Sequence, residues 1–389
     1  MNRKNGASYD LNQLVVYFLQ LGTTGFGGPV ALIGYMHRHL VEDKKWITEE
    51  EYKQGLTLAQ LAPGPLAAQL SIYIGFIHYR ILGATLAGIA FVLPSFVMVI
   101  LLGIAYKIYG GLQWMHAVFY GVGAAVTAII VMSTYKLTVK SVGKFSVESF
   151  KINWLLWIFY FTAGIITVVT RQEQVLLFIA AGLLYMFVKA PPVNMRTSAN
   201  SFALFFLQIS LVETQQDILW KIAFFFTRAG AFVFGSGLAI VPFLHAGVVV
   251  ENRWLTEQQF VDAVAVAMIT PGPVVITVGF IGYLIAGFSG SSVAALATFL
   301  PCYLFTVIPA PYFKSIAANN SVKAFVDGIT AAVAGALTGA VLLIGRASVT
   351  DAVTAILAFI TFIILILYKK IPEPYIILGA ALAGFILTR

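Results

Sequence analysis

Gly25-Phe26-Gly27-Gly28-Pro29, then Trp46-Ile47-Thr48-Glu49, then Pro63-Gly64-Pro65 is the stretch that decides the fold, because its features recur 208 positions later. Phe18, Gly22, Phe26, Gly27, Trp46, Thr48, Glu49 and Pro63-Gly64-Pro65 reappear without a gap as Phe226, Gly230, Phe234, Gly235, Trp254, Thr256, Glu257 and Pro271-Gly272-Pro273. The chain is a duplication. Each copy sets a glycine-rich interruption and a proline-bracketed glycine into otherwise apolar sequence. In a bilayer such interruptions persist only where protein or a water-filled cavity satisfies the freed backbone, so matched interruptions in two halves point to a solute site.

Composition sets the class around this stretch. With 60% hydrophobic and 10% charged residues and a mean hydropathy of +0.90, the chain has too little polar surface to cover a soluble globule. Apolar runs of about 20 residues recur, each able to cross a hydrocarbon core of about 30 Å. The formal charge of +8 is carried mostly between these runs, where Lys and Arg set topology, and does not mark a nucleic-acid binder. Cys302 is the one cysteine, which excludes an internal disulfide or a cysteine metal cluster. Met1 to Asp10 is short and polar, without a signal-peptide pattern.

Apolar runs fall at 11–36, 55–78, 81–106, 114–135, 152–170 and 174–189 in the first half, and at 219–247, 263–286, 290–313, 322–345, 349–368 and 373–388 in the second. The division expected is a first repeat over 1–189, a linker over 190–221 carrying an interfacial segment, Phe202 to Val212, and a second repeat over 222–389. Twelve full crossings leave Lys and Arg evenly split between the two faces. Treating each Pro-Gly-Pro segment as a re-entrant hairpin, with the N-terminus outside, gives five crossings per half and a clear cytoplasmic excess. The expected fold is thus an all-α polytopic membrane protein of two homologous, inverted halves, with broken or re-entrant helices at the Gly-rich and Pro-Gly-Pro motifs.

Between the interruptions, Thr48 with Glu51 and Thr256 with Gln259 match a capping box, and Ile47 with Tyr52 and Leu255 with Phe260 match a hydrophobic staple. The acidic cluster Glu49, Glu50 and Glu51 then favours the dipole of a first helical turn.

The solute-binding candidates are Gly25, Gly27, Gly28, Gln60, Pro63, Gly64 and Pro65 in the first copy and Arg228, Gly235, Ser236, Gly237, Thr270, Pro271, Gly272 and Pro273 in the second. A helix starting after Gly27-Gly28 aims free N–H groups and a partial positive charge at the gap, which suits an anion. Arg228, matched by Gln20, offers a planar fork of donors to an oxyanion; the alternative is that it snorkels to the interface. Gln69 and Thr277 flank the same turns. The bland reading of the glycines is close helix packing, as the Gly335–Gly339 spacing suggests. Asp327, near the start of an apolar run, is the proton-coupling candidate, against a helix-start residue in contact with water. His37 and His245 are matched and read as packing residues. Phosphate-loop, zinc-protease and nucleophile-elbow signatures are missing, so no enzyme, cofactor or metal is expected.

Gly25-Phe26-Gly27-Gly28-Pro29, Trp46-Ile47-Thr48 and Leu58-Ala59-Gln60-Leu61-Ala62-Pro63-Gly64-Pro65 together closely resemble the chromate ion transporter family. The second-half series Phe234-Gly235-Ser236-Gly237, Pro242, Trp254-Leu255 and Thr270-Pro271-Gly272-Pro273, with Phe325 to Gly328, carries the same resemblance. It implies export of chromate, or handling of the isosteric sulfate, across the cytoplasmic membrane by two oppositely oriented halves. The expected partners are that oxyanion and the lipid bilayer, with a homodimer as a candidate assembly. Transport of another inorganic anion is the first rival reading. A membrane-embedded enzyme acting on a lipid phosphate is the second, and it lacks a paired base and nucleophile.

Overall fold

The structure, a computed structural model, describes residues 9–110, 112–171, 175–191, 217–233, 237–368 and 371–387. The segment Phe202 to Val212 and the second interruption at Phe234, Gly235 and Ser236 lie outside these residues. The described chain is helical throughout, and helices long and apolar enough to cross a membrane lie within Leu66–Tyr109, Gln113–Ser141, Val274–Tyr312 and Asn320–Arg346. This is a multi-pass membrane protein.

Its first apolar run does not cross in one piece. Helix α1 (Leu11–Thr24) stops at Gly25, and α2 (Gly28–Met36) restarts after Gly27, whose φ of 103° only glycine adopts without strain. A π-helical turn, His37–Asp43, extends α2. Tyr9, just ahead of α1, stacks on Trp46, beyond α2, with ring centroids 4.8 Å apart. A straight helix over those residues would separate them by about 55 Å. The run therefore doubles back, with the glycine-rich segment at its tip. Reading it as one crossing with the N-terminus on the opposite face is corrected here: hydropathy reports how apolar a segment is, and not whether it reverses.

A second hairpin follows. The capping box of Thr48 and Glu51 starts α3 (Glu49–Leu61), and the buried Ile47 and Tyr52 form its staple. The tip is Pro63-Gly64-Pro65, and α4 (Leu66–Tyr109) carries the chain back. His78 Nε2 lies 3.5 Å from Glu51 Oε1, and the Gly55 position faces the Tyr73 ring, so the two arms pack antiparallel about Gly64. The 44 residues of α4 are not one rod, for at Arg80 the backbone turns left-handed, φ 53°. Gly75 and Gly83, about 12 Å apart on a straight helix, are then pressed backbone to backbone. Only the second arm, 81–109, is long enough to span the core, and α5 (Gln113–Ser141) returns.

The second half repeats these events. It comprises α9 (Ile218–Ala231), α10 (Ile240–His245) with its π-turn Ala246–Glu251, α11 (Glu257–Ile269) and α12 (Thr277–Val307). The reversal in α12 falls at Ala286 and Gly287, where Gly282 meets Gly290. After α6 (Val147–Ile152), the first half ends in α7 (Trp154–Thr170) and α8 (Val175–Lys189). The second ends in α13 (Phe313–Ala318), α14 (Asn320–Ser348), α15 (Ala352–Leu367) and α16 (Glu373–Leu387).

The halves interlock. The long arms of α4 and α12 run past each other in opposite directions: Thr85 Oγ1 meets Tyr303 Oη at 2.8 Å at one end, while at the other Gly103 and Lys107 lie against the ring of Tyr283, which stands one turn before the α12 reversal. Helix α5 is clasped by α15 and α16, with Gly121 and Gly384 in backbone contact and Tyr120 donating to Asp351 Oδ2 at 2.6 Å. Helix α14 is clasped in turn by α7 and α8 through Gly335 and Gly339 on Tyr160 and Gly164, and Gly328 on Ala181 and Gly182. Each half's terminal pair packs on the other half's long helix. Lipid tails give apolar helices no reason to leave them, so this association rests on close van der Waals packing, which glycine permits.

Candidate functional site

Between the halves the Pro-Gly-Pro tips meet the chain of the opposite copy, and the backbones are cross-bonded. Gly64 N–H donates to the Val233 carbonyl at 2.6 Å, and Gly272 N–H donates to the Gly25 carbonyl at 2.9 Å. The two bonds are the same contact seen from either half, because Val233 and Gly272 stand 208 positions after Gly25 and Gly64. Each proline-bracketed glycine thus bonds the other copy at matched positions, Gly272 at Gly25 and Gly64 at Val233. Proline on both sides removes the neighbouring donors, so the glycine N–H is the one these turns can offer.

The long arms wall the junction. Ser95 Oγ donates to the Pro271 carbonyl at 2.7 Å and lies against Gly272, while Cys302, its counterpart, lies against Gly64. At φ 142° and 94°, Gly64 and Gly272 are conformations that side chains resist, and a Cβ on Gly272 would run into Ser95 Oγ. Gln69, fully buried, donates through Nε2 to the Pro63 carbonyl at 2.9 Å and the Ala62 carbonyl at 3.3 Å; its Oε1 has no partner. Thr270 and Thr277 turn their hydroxyls onto the carbonyls of Ala267 and Val274. The Pro271-Gly272-Pro273 tip is buried, whereas Gln60 is exposed at the end of α3.

Charge reaches the junction from few places. Arg228 is half-buried in α9, one turn before its end, with its guanidinium 5.7 Å from the Phe224 ring centroid, and no carboxylate pairs with it among the described residues. A Cβ on Gly28 would lie 3.8 Å from Glu373 Oε2, so a carboxylate of the second half stands near the N-terminal end of α2. The free N–H groups at that end favour negative charge. Asp327 is not gathered with these groups. It is exposed, in a groove of about 840 Å³ shared with Tyr185, Lys189, Asn320 and Lys323.

Missed by the sequence reading is Asp262, in α11 and 3% exposed. It accepts from Tyr106 Oη at 2.6 Å and from Gln258 Nε2 at 2.8 Å. A lone carboxylate ahead of seven apolar residues is a visible signal, and it stands one residue before the apolar run 263–286. The matched histidines are more than packing groups: His37 Nε2 bonds Glu49 at 2.8 Å and His245 Nε2 bonds Glu257 at 2.6 Å, each fastening a π-turn to the next helix.

Interlocked apolar helices with matched hairpin tips define a multi-pass membrane protein of the duplicated, transporter kind. The model of the chromate transporter family matches residues 12–186 and 220–385, once for each half. The chain belongs to that family. It is 60% identical over 383 residues to the chromate transport protein of Cupriavidus metallidurans, covering 97% of this chain and 94% of that one. It is 56% identical over 385 residues to the probable chromate transport protein of Synechococcus elongatus, covering 97% and 96%. The uncharacterized transporter YwrB of Bacillus subtilis is 25% identical over 191 residues, which is 48% of this chain and 93% of that protein, the length of one half. No solved structure matches the chain.

Proposed function

We propose that the protein exports chromate across the cytoplasmic membrane as a secondary transporter, with the junction of the hairpin tips as its binding site. The observation that carries this reading is the reciprocal pair Gly64 N–H to Val233 and Gly272 N–H to Gly25. A dianion leaves water only where fixed donors replace its hydration. Here two glycine donors are held inside the protein and satisfied by carbonyls of the opposing half. Parting the hairpins of one half from those of the other frees both donors at once, and Arg228, five residues ahead of Val233 in the chain, is the cation assigned to join them. The self-bonded arrangement is then the closed state of the hairpins, with Gly64 and Gly272 buried.

Opposite insertion of the halves accompanies this reading. It is supported by the antiparallel course of the long arms of α4 and α12 and by charge. Arg38, Lys44, Lys45, Lys53, Arg80, Lys140 and Lys144 fall at one end and outnumber Lys107, Arg171, Lys221, Arg253 and Arg346 at the other, so the first end is cytoplasmic. Tyr9 stands at that end too. Sulfate has the same shape and charge as chromate and is the second substrate to examine, and an assembly of two copies is compatible with the lipid-facing outer helices.

The test is flux of radiolabelled chromate in liposomes containing only this protein, measured in both directions with sulfate, molybdate and phosphate as competitors. Saturable flux inhibited by tetrahedral dianions is expected. Liposomes no more permeable to chromate than empty ones would reject the reading, and preference for sulfate would reassign the substrate.

A further inference from the structure

Asp262 is a carboxylate that the binding reading does not use. It lies in α11, the first arm of the second half's Pro-Gly-Pro hairpin, and nine residues, about 13 Å of helix, separate it from Pro271. The titratable groups that reach it are Tyr106, from the long arm of α4, and His116, near the start of α5, which acts on it electrostatically. Gln258, on its own helix, supplies the other donor. No Lys or Arg pairs with it among the described residues. The first half holds Gln54 at the position matching Asp262, and the second half holds Phe313 at the position matching Tyr106, so neither the acid nor its hydroxyl partner is repeated.

An ionisable side chain inside a bilayer is costly, and it faces a pathway or a partner when it persists. Asp262 has neutral donors only, and it bridges the halves: its hydroxyl partner sits on the opposing copy. We propose that Asp262 is the residue that carries the proton in the transport cycle, ionised while the halves are closed and both its oxygens accept from Tyr106 and Gln258, and protonated when they part. The carboxyl O–H bond breaks as its proton passes to water on one face, and it re-forms with a proton taken from the other; no other bond changes. Asp327, exposed beside Lys323, is replaced in that role. The inference rests on the transport reading above.

The experiment uses the full chain in liposomes with two measurements, chromate accumulation driven by an imposed pH gradient and chromate exchange at equal concentrations without one. Asp262→Asn is expected to lose driven accumulation at least tenfold while exchange stays within about twofold of wild type. Driven accumulation that survives in the Asn variant overturns the assignment, and so does parallel loss of both measurements or a wild type indifferent to the gradient. A wild type that exchanges no chromate fails the transport reading instead. Should the Asn variant not reach the membrane, Tyr106→Phe keeps the acid and removes one donor to its ionised form. Its driven flux is expected to have a pH midpoint higher by about one unit, and an unmoved midpoint overturns the proposal.

Discussion

Laid over one another, the two hairpin pairs repeat the same backbone events with different side chains. A left-handed residue precedes each tryptophan, Lys45 with φ 51° and Arg253 with φ 51°; a capping box opens each following helix; a left-handed glycine forms each tip. At equivalent positions the chemistry parts: Gln20 against Arg228, Gln54 against Asp262, Gln69 against Thr277, Ser95 against Cys302. Even the carboxylate beside Gly28 of the first half, Glu373, belongs to the second. Duplication has kept what closes the hairpins, because each tip must meet the other. It has concentrated the charge that a moving ion would feel in one copy.

The comparison can be broken outright by topology. Lys45→Cys and Arg253→Cys, each in a Cys302→Ser background, are expected to react with an impermeant thiol reagent from opposite faces of the membrane; labelling from one face ends the idea of opposite insertion. Next in size is the tip. Gly272→Ala imposes a strained φ and a collision with Ser95, roughly 2 kcal/mol or more, and is expected to cut flux by more than tenfold. Ser95→Ala in the same chain should restore part of it, since the hydroxyl is what the new Cβ meets.

Arg228→Gln converts the second half to the first half's residue. Losing a charge-assisted hydrogen bond of about 1.5–3 kcal/mol predicts chromate affinity weakened about tenfold or more, measured as the half-saturating concentration for flux. Gln20→Arg should not compensate. Smaller again are the caps: Thr48→Ala and Thr256→Ala should each lower thermal stability by about 1 kcal/mol and by nearly equal amounts. A large inequality would show that the two boxes are not equivalent.

The least effect expected is a pH dependence that separates the two histidine–glutamate pairs. The bond from His245 holds the Glu257 carboxyl below the ordinary carboxylate range, and the charge of Arg171 acts in the same sense. A lowered folded-state value means that the pair stabilises above that range and that its contribution fades as pH falls through the lowered value. The melting temperature of Glu257→Gln should therefore trail wild type at pH 7 and approach it near pH 4. Glu49→Gln should show a smaller gap, because the His37 ring is 30% exposed against 4% for His245.

Much of this was legible before any coordinates. The repeat, the positions of the glycine-rich and proline-bracketed segments, both capping boxes and both staples follow from residue identity, because each is a local device spanning a few residues. The Gly335–Gly339 spacing announced a close helix contact, and Tyr160 and Gly164 supply it. The reversal of residues 11–43 was not legible. Its tip reads the same whether α2 continues or returns, and the decision lies in Tyr9 meeting Trp46. Asp262 was overlooked because its significance comes from Tyr106, 156 residues away in sequence.

Sequence alone determined that this is a duplicated, membrane-embedded helical protein with two interruptions per copy, since hydropathy, helix stops and caps are properties of neighbouring residues. Tertiary structure decided that each interruption is satisfied by the other copy, Gly64 by Val233 and Gly272 by Gly25, and that α5 and α14 are clasped by the opposite half. A buried backbone donor must find an acceptor. Which acceptor it finds depends on how the chain is brought back on itself, and that is fixed by packing between distant segments.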